Sequence, residues 1–207
     1  MKKVFLVTLI GFSLLLIGCT QTPLIKEYVC PDGSVVNNVE QCKVTEPEIN
    51  FLTYENADYG IKIKYPEEWG MPPVNFEGHI VTFVTPNIID EPDVRNPDAV
   101  VFQIVTEDLT DRPMTLEEYA ENTKSQVNEF QRLQDLKIID SSQTTLAGNT
   151  AHRLIYTYNV ENDNAKTALI FTIKNNKVYA INVTGAEEGY SNHSKTTNKM
   201  VESFEFI

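Results

Sequence analysis

The 207 residues carry 17 Lys and Arg against 29 Asp and Glu, a net charge of −12 with 42% apolar and 10% aromatic side chains. Nucleic acid phosphates and anionic headgroups both repel such a chain on average, so neither nucleic acid nor a charged lipid surface is an expected partner. A charged fraction of 22% beside that apolar content is ordinary for a globular core and excludes a disordered or halophilic chain.

Lys2 and Lys3 precede an apolar run from Val4 to Ile17 that closes in Leu16-Ile17-Gly18-Cys19. A basic start, an apolar stretch and a small residue before the cut form the layout of a secretory signal. The last four residues resemble the lipobox of bacterial and archaeal lipoproteins, which implies that Cys19 takes a thioether-linked lipid and becomes the new N-terminus. A retained transmembrane helix is the first alternative, but the run is shorter than the ~20 apolar residues that span a bilayer. Plain secretion is the second, yet no Ala-x-Ala site precedes Cys19, and an unpaired thiol would be left in an oxidising compartment. The expectation is therefore a signal peptide over residues 1–18 and a lipid-anchored chain on the extracytoplasmic face of a cell membrane. Each buried methylene contributes ~0.8 kcal/mol and one acyl chain holds only marginally, so a stable anchor uses a second chain. Losing Lys2 and Lys3 leaves 15 basic residues of the 17 against 29 acidic ones, a net of −14, so the lipid and not charge must do the anchoring.

Residues 19–50 read as a stem. With Cys19 lipidated, Cys30 and Cys42 remain as an even pair outside the cell and are expected to form a disulfide. Pro31-Asp32-Gly33 and Asn37-Asn38 are turn signals that let the ends meet, and closing so short a loop contributes ~3 kcal/mol in the chain-entropy model. A zinc site is the alternative, but zinc wants four ligands and no histidine lies between Met1 and Gly78. The Pro-containing, charged segment Lys43 to Asn50 has no periodicity and suits a linker.

The main domain is expected over residues 51–207. Tyr59 to Pro66 alternates Ile61, Ile63 and Tyr65 with Lys62 and Lys64, the period of a half-buried strand. Ile80–Thr85 and Ala99–Thr106 are β-branched and aromatic runs that read as strands, as do Thr150–Val160, Lys166–Lys174 and Lys177–Thr184. The last two meet across Asn175-Asn176, residues that tolerate the positive φ of a tight hairpin. Thr115-Leu116-Glu117-Glu118 has capping-box spacing with Met114 able to staple against Tyr119, so a helix starts at Leu116. Its apolar stripe is Leu116, Tyr119, Ala120, Val127 and Phe130. A second helix is expected from about Ser191 to Glu202, followed by Phe204 and Phe206 as a terminal anchor. Helices laid on an antiparallel sheet make the fold class α+β.

Tyr59-Gly60-Ile61-Lys62-Ile63-Lys64-Tyr65-Pro66-Glu67-Glu68-Trp69 resembles the opening of the PsbP family. So do Leu146-Ala147-Gly148-Asn149-Thr150-Ala151 leading into a strand, the following hairpin, and Ser203-Phe204-Glu205-Phe206. The resemblance spans most of Asn50 to Ile207 and implies an α-β-α sandwich around a curved antiparallel sheet. The family includes extrinsic, sometimes lipid-anchored, subunits of photosystem II, and a relative of the same fold binds a small GTPase. It implies binding and assembly without catalysis and carries no site residue onto this chain.

The residues point the same way. His79, His152 and His193 are far apart in sequence, and no Gly-x-Ser-x-Gly elbow, His-Glu-x-x-His or phosphate-cradling loop is present. The chain is accordingly expected not to be an enzyme and to need no cofactor. Trp69 beside Pro66 reads as a plug on one end of the sandwich, with a ligand platform as the alternative. In the loop Pro86 to Asp98, Asp90, Glu91, Asp93 and Asp98 have the oxygen chemistry of a weak Ca²⁺ or other divalent-cation site, although the ligand alternation and Gly pivot of an EF-hand are missing. Ile88 and Ile89 in the same loop suit a partner-docking tip if exposed, and pin the loop to the core if turned inward. The reading is a non-catalytic lipoprotein that binds an unknown protein partner or serves assembly at the membrane surface; the alternative is a small-ligand or cation-binding lipoprotein.

If the lipobox reading holds, Cys19→Ser releases the protein from the membrane. Mass spectrometry of the native chain finds a lipid-modified Cys19 at its N-terminus; an unmodified Cys19, or a chain still starting at Met1, contradicts it.

Overall fold

The computed structural model describes residues 27–30, 33–42, 48–88, 96–129, 134–160 and 163–207. They belong to two units that meet between Glu48 and Ile49.

The first unit is a stapled hairpin. Strand β1 (Tyr28–Val29) pairs antiparallel with β2 (Val35–Val36), and Gly33, at φ 81°, makes the turn by donating its N–H to Cys30 O at 2.9 Å. A 3-10 turn over Val39–Gln41 follows, capped by the Asn38 side chain accepting from Glu40 N–H. It brings Cys42 to Cys30, and the expected disulfide is formed with the two Cα atoms 5.3 Å apart.

The second unit is built on a six-stranded antiparallel sheet. Its strands are β5 (His79–Val84), β6 (Val100–Asp108), β7 (Gln134–Leu146), β8 (Asn149–Val160), β9 (Asp163–Lys174) and β10 (Lys177–Ala186), in spatial order β5-β6-β10-β9-β8-β7. Beside it stands a three-stranded antiparallel sheet in which β4 (Ile61–Pro66) lies between β3 (Phe51–Asn56) and β11 (Glu205–Phe206). Helix α1 (Leu116–Glu129) connects β6 to β7; α2 (Glu187–Asn192) and α3 (Ser194–Glu202) follow β10.

Side chains alternate across each strand, so the two faces of the large sheet separate cleanly. On one face Phe83, Phe102, Ile104, Ile181 and Val183 meet Ile61, Ile63 and Tyr65 of the small sheet, Met200 of α3, and Phe204. Tyr65 stacks on Phe83 with ring centroids 4.6 Å apart, and Trp69, 7% exposed, joins the same core. Trp69 is thus a packed plug. On the other face Ala120 of α1 packs with Phe171, Val178 and Ala180. The α+β architecture expected from the sequence is present, with the second flank made by a small sheet as well as by helices.

Local chemistry explains the joints. Asn175 and Asn176, at φ 52° and 58°, make the β9–β10 hairpin. The capping box forms as expected: Glu118 N–H donates to Thr115 Oγ1 at 3.1 Å and Thr115 N–H to Glu118 Oε2 at 2.8 Å. The helix expected from about Ser191 to Glu202 is α3, starting at Ser194, and the short α2 before it, set off by His193, was not expected. Tyr59 and Gly60 belong to a turn rather than to β4, with Gly60 at φ 63°. Phe130 of the expected stripe lies outside the described residues.

Two glycines set how closely the chain before β6 crosses the end of β10. A Cβ on Gly185 would lie 2.4 Å from Ala99 O, and one on Gly189 would lie 2.8 Å from Ala99 O and 2.9 Å from Pro97 O. All of these are backbone atoms with little room to yield. Gly→Ala inside a helix ordinarily gains up to about 1 kcal/mol. At Gly189 the sign reverses, because the clash costs about 1–3 kcal/mol. Chemical denaturation of Gly189→Ala is expected to give a lower midpoint than the parent; a higher one means the crossing is loose.

Candidate functional site

The loop between β5 and β6 does not present Ile88 as a docking tip. A 3-10 turn, Pro86–Ile88, directs Ile88 N–H to Thr85 O at 3.2 Å, and the side chain is 3% exposed against Val84 and Ala99. Ile88 pins the strand end, which corrects the expectation of a partner-facing anchor: the core offered by Val84 and Ala99 takes its apolar surface out of water. Ile89, Asp90, Glu91 and Asp93 lie outside the described residues, as does Cys19. Asp98 is exposed; its N–H donates to Asn96 Oδ1 at 3.1 Å, and its carboxylate lies 3.5 Å from His193 Nε2. Among the described residues no group of three His, Cys, Asp or Glu could hold a metal ion.

The three histidines stand in separate surroundings. His193 meets Trp69 edge to face at 5.8 Å. His152 stacks on Phe171, and its Nε2 is 2.9 Å from Ser141 Oγ. That pair has the spacing of a nucleophile and base, but among the described residues no carboxylate hydrogen-bonds the imidazole to orient it, so it is not a triad. His79 meets Phe76 at a tilt of 58°, ring centroids 5.0 Å apart, and its Nε2 is 2.8 Å from Thr82 Oγ1.

Phe76, beside His79, lines a concavity that sequence reasoning did not find. Where α1 stops covering the large sheet, a groove of about 740 Å³ opens over Val105, Val178 and Ala180. Tyr119 forms one wall and Phe76 to Gly78 the other, with Glu107, Asp108 and Asp111 at the end. The second wall is fixed by Gly78, at φ 79°: its carbonyl accepts from Thr106 N–H at 2.7 Å, and a Cβ there would lie 2.1 Å from Thr106 O. The first is fixed by Tyr119, whose ring meets Phe171 at 5.1 Å and whose hydroxyl donates to Glu107 Oε2 at 2.9 Å. Burial first, then the Glu107 hydrogen bond and charge, push the Tyr119 phenol far above its usual range, so it stays a donor. Arg112 holds the other Glu107 oxygen at 3.2 Å. Hydrogen bonds from Thr110, side chain and backbone, hold Asp108 below the ordinary carboxylate range. Away from α1 this face of the sheet turns polar: Gln103 Nε2 donates to the buried Thr82 Oγ1 at 3.2 Å, and Thr184 lies 2.9 Å from the buried Thr167, hydroxyl to hydroxyl.

A sequence profile described as PsbP-like protein matches residues 8–206. No curated protein matches the sequence. The fold is similar to the solution structure of cyanobacterial PsbP (CyanoP) from Synechocystis sp. PCC 6803, with TM-score 0.58 and 15% identity over 80% of this chain and 97% of that one. LpqN, involved in cell envelope biogenesis of Mycobacterium tuberculosis, is similar at TM-score 0.54 and 15% identity, covering 76% of this chain and 90% of its own. The Saccharomyces cerevisiae Ran-binding protein Mog1p gives TM-score 0.52 and 8% identity over 77% and 96%. At these identities the likeness shows the fold.

Burial lowers the pKa of His79 below 6.5, and burial followed by the charge of Lys124 lowers that of His152. The unfolded chain therefore protonates these rings before the folded one does. Their contribution to stability is complete above the unfolded value and is lost as pH falls from there toward the lower folded values. NMR titration is expected to place both midpoints below 6.5, with a lower denaturation midpoint at about pH 5 than at about pH 7.5. Midpoints at or above 6.5 contradict the burial argument.

Proposed function

The chain belongs to the PsbP-like protein family, and from that premise we propose that it is a non-catalytic protein-binding or assembly module, held by lipid on Cys19 at the extracytoplasmic face of a membrane. The observation that carries the binding reading is the groove beside Tyr119, which the half-buried Val105 and the buried Val178 and Ala180 line from below and to which Tyr119 and Phe76 contribute aromatic rings. Phe76, 48% exposed, gives no packing to the main core and is positioned as a contact residue. Support also comes from the uses of the fold, since Mog1p is a Ran-binding protein and LpqN is involved in cell envelope biogenesis. The lipid anchor is supported by the Leu16-Ile17-Gly18-Cys19 string alone.

The reading is tested by placing a photo-crosslinking phenylalanine analogue at position 76 of the full chain in native membranes. A discrete protein adduct is expected from position 76 and not from the same group at Thr53, an exposed position on β3. Equal adducts from both positions, or none from 76 while calorimetry detects a small ligand or divalent cation, would replace this reading with the ligand-binding one.

A further inference from the structure

We propose that the groove beside Tyr119 receives a basic side chain of a protein partner, a guanidinium or ammonium carried on an apolar arm; this rests on the reading of the chain as a protein-binding module. The floor of Val105, Val178 and Ala180 suits the aliphatic part of such a side chain. Phe76 and Tyr119 stand on opposite sides, and aromatic rings attract a cation placed against their faces. The carboxylates of Glu77, Glu107, Asp108 and Asp111 supply the opposite charge.

Nearby bases do not cancel this field. Arg112 is held by Glu107, and Lys177 lies opposite Asp108 in the strand register, so two cations stand against four acids. Among the described residues neither Glu77 nor Asp111 is in an ion pair. The outward side of α1 continues the acidic surface with Glu117, Glu118 and Glu121, of which Glu121 pairs with Lys124. An anionic occupant is repelled, and a neutral apolar one would strip water from these carboxylates without replacing it. A metal ion is disfavoured because Glu107 is turned toward Tyr119 and Arg112, and Asp108 toward Thr110. The volume of about 740 Å³ exceeds what one free guanidinium fills, which favours a side chain carried by a longer segment.

The test uses the full chain extracted in non-ionic detergent and a fluorescent peptide alternating Arg with Leu. Its partner peptide carries citrulline, the neutral isostere, in place of Arg. Fluorescence anisotropy is expected to show saturable binding of the Arg peptide and binding at least about tenfold weaker for the citrulline peptide. Affinity falls as salt rises from about 50 to about 500 mM. Phe76→Ser, and Glu77→Gln with Asp111→Asn, each weaken the Arg peptide about threefold or more while melting like the parent. Glu67→Gln with Glu68→Gln, exposed acids away from the groove, leaves binding unchanged.

Equal affinity for the two peptides, equal loss in the Glu67/Glu68 variant, or no binding at all overturns the proposal. So does butylguanidinium that binds as tightly as the peptide, since the groove would then hold a free cation. A crosslinked protein at position 76 without any preference for Arg removes this inference alone and leaves the binding-module reading standing.

Discussion

One helix cannot cover a sheet six strands wide. With strands ~4.8 Å apart the large sheet is about 24 Å across, and strands of ten or more residues run over 30 Å. Helix α1, at 14 residues, is about 21 Å long and about 10 Å thick with its side chains. It buries Phe171, Val178 and Ala180 but leaves much of that face to be treated otherwise. Part of the remainder is polar, through Gln103, Thr82, Thr167 and Thr184, which satisfy one another by hydrogen bonds. The groove lies at the margin of this cover, where Val105 is half-buried beside the buried Val178 and Ala180. The opposite face has no such deficit, because the small sheet, α3 and Phe204 together close over Phe83, Phe102 and Ile181.

The edges of the groove are held by backbone fits as much as by side chains. Gly78 is pressed onto Thr106 where no Cβ is tolerated, and that contact fixes the wall carrying Phe76. Tyr119 is fixed twice, by its ring on Phe171 and by its hydroxyl on Glu107. The capping box at Thr115 and Glu118 sets where α1 begins, and so where Tyr119 falls relative to β6. A ligand entering here meets walls already in place, so little ordering is needed on binding.

Sequence periodicity made the buried strands legible. Ile61, Ile63 and Tyr65 alternate because one side of β4 faces the core, and the Asn175-Asn176 turn carries its own φ signature. β7 was not legible: its residues are nearly all partly or fully exposed, so Ser141, Ser142, Gln143, Thr144 and Thr145 need no apolar alternation, and pairing with β8 alone makes them a strand. β3 was hidden for a similar reason, lying at an edge with Leu52 and Thr53 exposed. Ile88, read as docking tip or inward pin, is a buried anchor, since nothing in Pro86-Asn87-Ile88 states which way the isoleucine turns. The groove was illegible because its parts come from four separated stretches, around Phe76, Glu107, Tyr119 and Val178. The compact acidic cluster Glu107-Asp108 and Asp111, just before the capping box, was the available signal.

A fold shared at 8% to 15% identity is specified by its pattern of layers, not by particular residues. Phe102, Ile104 and Ile181 answer to that pattern: any apolar side chain of similar volume would keep the layers together. Phe76 answers to none of it. It is half exposed, it leaves the main core intact without its help, and the fold has no need for an aromatic ring at a rim of carboxylates. Tyr119 divides the two demands, its ring serving the core through Phe171 while its edge and hydroxyl belong to the groove. The chemistry of this chain is therefore to be sought where side chains exceed what the fold requires, and among the described residues Phe76, with Glu77 and Asp111 beside it, meets that condition most fully.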